Sequence, residues 1–251
     1  MKNWSVMESK RFEKPETKLL HEEVISSIFN AFLEGKLKPG EKLSEETIGN
    51  ELGVSRTPVR AAFQEMEKQG IVEVIPRKGA YVINWSINDF IDFCKTRTLL
   101  EGFAAELAAE KILPGEEKSL FAITEKMCDA AENGEVEKEI KFDMAFHKRI
   151  VEISKNITLR DIYESLELKI RMYMVYEKYL SSSPDQRIVL TEKHIPIAEA
   201  IQSRQGKLSK QLMEKNVSEA GIALIQRLEK KGIDSRDIDM PSAIKKLENN
   251  I

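Results

Sequence analysis

Two groups of residues in this sequence have the types and spacings that recognition chemistry requires. The first is "SRTPVR", residues 55–60. Arg56 and Arg60 lie four apart, so on a helix they project from one side. A guanidinium presents a planar fork matching the O6 and N7 acceptors of guanine, whereas the hydroxyls of Ser55 and Thr57 suit phosphate oxygens. A second basic pair, Arg77-Lys78, is closed by Gly79, which has no side chain to hold a sugar-phosphate chain away. The bland alternative is a capped helix start with two solvated arginines, followed by a surface turn.

The second group is buried by pattern. Asp143 and His147 are four apart on a stripe with Val136, Ile140 and Ile150. His194 shares a face with Ile197, Ala198 and Ile201, and Asn216 is in line with Leu212, Ala220 and Ala223. Polar groups on apolar stripes need partners, because unpaired burial is costly. Two readings stand open: a buried Asp–His hydrogen bond that orders the core, or a divalent cation held by carboxylate and imidazole with positions left for an effector. His21, the remaining histidine, falls at the edge of the first helical stripe.

Elements must position these groups. Leu20, Val24, Ile28 and Phe32 recur every four residues and predict an amphipathic helix. Pro39-Gly40 marks a turn, Ser44 a helix cap with Glu45 and Glu46 in the first turn, and Gly53 the end of that short helix. Ser55 caps a third helix, which has Pro58 in its first turn, runs to Gln69 and stops at Gly70. "IVEVI" and "AYVIN" around "PRKG" then read as a β-hairpin. Helix, short helix, turn, helix and hairpin make a winged helix-turn-helix, in which two basic tips converge on one side of a small domain. From residue 87 to about 231 the pattern is helical, with expected helices at 87–112, 116–132, 135–154, 158–180, 190–204 and 207–231.

The fold class expected is therefore mainly α: a winged helix-turn-helix of three helices plus hairpin, then an all-α bundle. The divisions are a mobile arm at 1–16, the winged domain at 17–85, the helical domain at 86–232 and a polar extension at 233–251. Trp85 is placed at the hinge. The net charge of −3, with 13 basic against 13 acidic residues in 1–85, gives no global attraction to nucleic acid, so any such binding is local. Cys94 and Cys128 have no metal-type spacing and fit a reduced, cytoplasmic protein. No apolar run is long enough for a membrane span, and the start lacks the apolar block of a signal peptide.

Residues 19–84 resemble the winged helix-turn-helix of the GntR family of bacterial transcription regulators. The likeness is carried by "LKPGEKLSEETIGNELGVSRTPVRAAFQEMEKQGIVEVIPRKGAYV". It implies DNA contacts at Arg56, Thr57 and Arg60 on the helix and at Lys78 and Gly79 on the wing. One position departs: the family usually has glutamate after "PVR", and here it is Ala61, a change expected to alter operator preference.

Residues 88–230 resemble the all-helical FCD domain of the FadR-type subfamily, through "TRTLLEGFAAELAA", "FDMAFHKRIVEISKN" and "EKHIPIAEAI". Metal-bearing members use one Asp and three His. Asp143, His147 and His194 fill three of these positions, and Asn216 stands at the third histidine, a poorer ligand for zinc or nickel; zinc, nickel and manganese are the candidate metals. Arg97 matches an arginine that members use to hold acidic effectors, although an ion pair to Glu101 one turn on suits it equally. The resemblance implies a ligand-responsive repressor, not an enzyme. It would be a homodimer on a near-palindromic double-stranded operator, controlled by a small carboxylate. The competing expectation is a metal-dependent enzyme domain fused to a DNA-binding domain, for which the sequence offers no supported general acid or base.

Overall fold

The structure is a computed structural model that describes residues 17–33, 36–37, 40–83, 87–180 and 184–230. The expected arm at 1–16, the hinge at Trp85 and the extension at 233–251 lie outside the described residues. The chain divides into two compact units, Met1–Lys68 with Val72–Val82, and Gln69–Ile71 with Ile83–Ile251.

The first unit contains α1 (Thr17–Leu33), β1 (Lys42–Leu43), α2 (Glu45–Leu52), α3 (Arg56–Lys68), β2 (Val72–Ile75) and β3 (Gly79–Val82). Ser44 caps α2 by accepting a 3.2 Å hydrogen bond from the Thr47 N–H, and Gly53 ends it in the left-handed region. The α1 stripe is buried at Val24 and Ile28 and widened by Ile25 and Phe29, while Leu20 is exposed. It packs on α3, whose Val59, Ala62, Phe63 and Met66 are buried. The expected hairpin is β2–β3. A third strand, β1, pairs antiparallel with the other edge of β3, giving the order β1-β3-β2. At two residues it is too short to show any alternation in the sequence.

The second unit is all-helical: α4 (Ile87–Lys111), α5 (Glu117–Glu132), α6 (Val136–Ile153), α7 (Ile157–Ser165), α8 (Glu167–Leu180), α9 (Pro184–Glu192), α10 (His194–Gln202) and α11 (Gly206–Lys230). Two expected helices are each divided. The 158–180 span breaks at Leu166, and the 190–204 span belongs to α9 and α10, broken at Lys193. Pro184 opens α9, where a missing N–H costs nothing.

α4 and α11 pack along one another, with Gly102 of α4 against Glu214 and Gly206 of α11 against Glu106, and Ala104, Ala105, Ala108 and Ala109 of α4 are fully buried. A Cβ at Gly221 would sit 3.0 Å from the Cys94 Sγ. The α4 C-terminal carbonyls of Glu110 and Ile112 accept from the Arg204 guanidinium at 3.0 and 2.6 Å, a cation meeting the negative end of a helix. The core gathers Leu120, Met127, Phe146, Ile150, Ile170, Tyr173 and Ile197.

Candidate functional site

In the first unit, α3 turns its apolar side inward and leaves Arg56, Thr57 and Arg60 exposed, with Ser55 exposed just before it. Both arginines meet carboxylates from the first turn of α2. Arg60 donates from Nε to Glu45 Oε1 at 3.1 Å and from Nη2 to Oε2 at 2.8 Å, a bidentate pair. Arg56 Nη2 donates to Glu46 Oε2 at 3.1 Å. The hydrogen bonds from Arg60 hold Glu45 below its ordinary pKa.

At the wing the Lys78 N–H donates to the Ile75 carbonyl at 3.0 Å, and Arg77 between them has φ +65°. This is a turn with Pro76 leading and a left-handed residue third, the place usually given to glycine. Lys78 is exposed, and Gly79 follows with φ +113°. A Cβ at Gly79 would lie 3.1 Å from the Cε of Lys42, so glycine lets the Lys42 side chain lie across the wing. Lys42 thus joins Arg77 and Lys78 as a basic group at this tip. Sequence reading missed it, because its position depends on the β1–β3 pairing.

In the second unit, α6 and α10 bring Asp143, His147 and His194 together, all buried. His147 Nε2 is 3.2 Å from Asp143 Oδ1, His194 Nε2 is 3.7 Å from the same oxygen, and the two Nε2 atoms are 3.4 Å apart. The far side of each ring is anchored. His194 Nδ1 lies 3.0 Å from the Thr191 carbonyl oxygen, which can only accept, so Nδ1 carries the proton. His147 Nδ1 lies 2.6 Å from Glu101 Oε2 in an ion-pair contact, and a carboxylate oxygen facing it places the proton on Nδ1 here too. With both Nδ1 atoms protonated, the Nε2 atoms of neutral rings are acceptors aimed at a third acceptor. Such a trio repels itself unless a proton or a cation lies within it. Burial opposes the charged form of His147, but the carboxylates of Glu101 and Asp143 outweigh it and raise its pKa to about 9.

Glu101 sits between two cations. Its Oε1 accepts from Arg97 Nε at 2.7 Å while Oε2 faces His147. Burial raises its pKa, but Arg97 and His147 overcome this and bring it down to about 2. Arg97 therefore makes the ion pair that its spacing allowed, with its guanidinium 5.0 Å over the Tyr173 ring. It also lines a cavity of about 30 Å³ bordered by Asp143, His147, His194 and Asn216, a volume suited to an ion with a water or two. Asn216 is half-buried. The fully buried stripe of α11 runs instead through Met213, Val217 and Leu224. Thr191 and Tyr173 carried no sequence signal, since their roles depend on how α9 and α8 pack.

Residues 92–219 match the FCD domain model, and residues 20–82 match the model of bacterial regulatory proteins of the gntR family. The chain belongs to the GntR family. It is 31% identical over 194 residues to the HTH-type transcriptional regulator YieP of Escherichia coli K12, covering 69% of this chain and 82% of that protein. It is 26% identical over 183 residues to the HTH-type transcriptional repressor RspR of the same organism, covering 73% and 79%. The solved structure of E. coli McbR/YncC shares the fold, with a TM-score of 0.71 at 23% identity over 83% of this chain and 98% of that one. This GntR-family chain is a DNA-binding transcriptional regulator with an FCD domain. The reading as an enzyme domain finds no support among its relatives. No described helix is long and apolar enough to cross a membrane.

Proposed function

We propose that this regulator is a homodimeric, cytoplasmic repressor controlled by a small organic acid. Each protomer offers Ser55, Arg56, Thr57 and Arg60 of α3, with Lys78 and Gly79 of the wing, to one half-site of a near-palindromic operator. In the helical unit Asp143, His147 and His194 hold a divalent cation, Asn216 adds a carbonyl oxygen beside them, and Arg97 takes the effector carboxylate. Binding of the acid shifts the population between DNA-competent and DNA-incompetent states.

The observation that carries the ligand site is the convergence of three acceptor atoms with the opposite nitrogen of each imidazole already engaged. That donor set, two imidazoles and a carboxylate, fits a borderline divalent ion, and the outer contacts of Glu101 and Thr191 fix ring orientation. A bound cation supplies positive charge against which a carboxylate can rest. Arg97, steered by Glu101 and Tyr173, sets the direction from which the acid approaches.

Elemental analysis of protein incubated with zinc, nickel or manganese tests the cation. Near-stoichiometric metal is expected, lost in His147→Ala. A thermal-shift screen of small carboxylic acids, with and without metal, should then give stabilisation by one acid class that depends on the metal. Wild-type protein that stays metal-free after incubation overturns the site and leaves the Asp143–His147 contact as a core-ordering hydrogen bond.

A further inference from the structure

The arginines at the start of α3 are not presented alone, and the geometry points to Glu45 as a positioning residue that sets DNA selectivity through Arg60. The inference rests on the proposed reading role of α3. A guanidinium has two hydrogen-bonding edges. Arg60 gives the side edge, Nε with Nη2, to both oxygens of Glu45. The end edge, formed by Nη1 and the second N–H of Nη2, keeps two parallel donors, the pattern that matches guanine O6 and N7. Glu45 itself stands on a firm base, in the first turn of α2 directly after its Ser44 cap. Its side chain is 30% exposed, whereas that of Arg60 is 63% exposed. The carboxylate is thus the fixed partner, and the guanidinium is the projecting one. α3 has Ala61 beside Arg60, so this carboxylate comes from a different helix.

Glu45 also cancels the charge of Arg60. An arginine neutralised in this way loses attraction for phosphate, which is the same on every duplex, and retains directed donors for a base edge. Both effects raise discrimination. Arg56, held through one nitrogen by the 69%-exposed Glu46, is the looser copy of the same device.

Two opposite consequences make the inference testable with the full-length dimer. A duplex selected from a randomised library by the wild-type protein serves as operator, and a shuffled duplex of the same composition as competitor. Glu45→Gln keeps size and removes the charge and one acceptor oxygen. It should lower the ratio of operator to shuffled affinity by about two- to tenfold, the range expected for releasing one ordered side chain. The shuffled duplex should bind as tightly as before or more tightly. Selection repeated with Glu45→Gln should blur the preference at the same base position that Arg60→Ala blurs. An exposed pair contributes little to stability, so an unchanged melting temperature confirms that folding is not the cause. Equal changes on both duplexes, or no change on either, overturn the positioning role and leave Glu45 as a surface charge. If Arg60→Ala leaves selectivity intact, the reading role of α3 fails as well, and Glu45 has nothing to position.

Discussion

Glu101 engages a cation with each carboxylate oxygen, and pH should expose that double role in metal-stripped protein. Its pKa falls from an ordinary 4.5 to about 2 on folding, so its contribution to stability is present above 4.5 and is lost as pH drops from there through about 2. His147 works in the opposite direction. Its pKa rises from 6.5 to about 9, so its contribution is complete below 6.5 and is lost as pH climbs through about 9. The contribution of this pair should therefore be greatest between 4.5 and 6.5, and urea unfolding across pH should show Glu101→Gln flattening the acid limb relative to wild type. An acid limb of unchanged steepness in that variant would contradict this account. The DNA-reading side has its own residue-scale expectation: Arg60→Ala should cost about 1–3 kcal/mol in operator binding, measured by titration against the selected duplex. Much of this was visible in the sequence. Asp143, His147 and His194 could be picked out because each interrupts an apolar stripe at helical spacing, and Glu101 because it follows Arg97 by one turn. Lys42, Thr191 and Tyr173 could not, since each acquires its role only through a contact with a distant element.

At the scale of elements, the pairing of α4 with α11 depends on backbone proximity, and two glycines on it should respond differently to one added methyl group. At Gly221 the new Cβ meets the Sγ and Cβ of Cys94 at 3.0 and 3.2 Å. A Cβ cannot rotate away and Cys94 is fully buried. Overpacking of about 1–3 kcal/mol should outweigh the gain of roughly 0.5–1 kcal/mol from replacing a helical glycine. At Gly102 the clash is with the side chain of Glu214, at 2.5 Å from Cγ, and that half-buried chain can swing aside. Gly102→Ala should be neutral or slightly stabilising by urea unfolding, and an equal loss at both sites would refute the distinction. Element boundaries show where sequence reading stopped. The α7–α8 break falls at Leu166, without a proline or glycine to mark it, inside one continuous apolar pattern. At α9 a proline that signals a loop in isolation opens a helix instead.

For the whole molecule, an acidic chain binds DNA through local charge. The reading unit is close to neutral, and Glu45 and Glu46 pair with the arginines of α3; on the proposed reading, Lys42, Arg77 and Lys78 at the wing tip then supply attraction to phosphate. Lys78→Ala should weaken selected and shuffled duplexes alike and reduce the salt slope by about one, as read from affinities across a salt series. An unchanged slope would argue against a phosphate contact. The sheet behind that tip has a mechanical consequence. β3, the last element of the reading unit, is its central strand, bonded to β2 on one side and β1 on the other. Val82 is itself tied to Glu41 and Gly40 by hydrogen bonds of 2.9 and 2.8 Å. A pull on the chain beyond Val82 loads two ladders together and cannot peel away one edge. Tension at Val82 is therefore shared between both edges of the sheet, and strand β1, only two residues long, acts as the rivet.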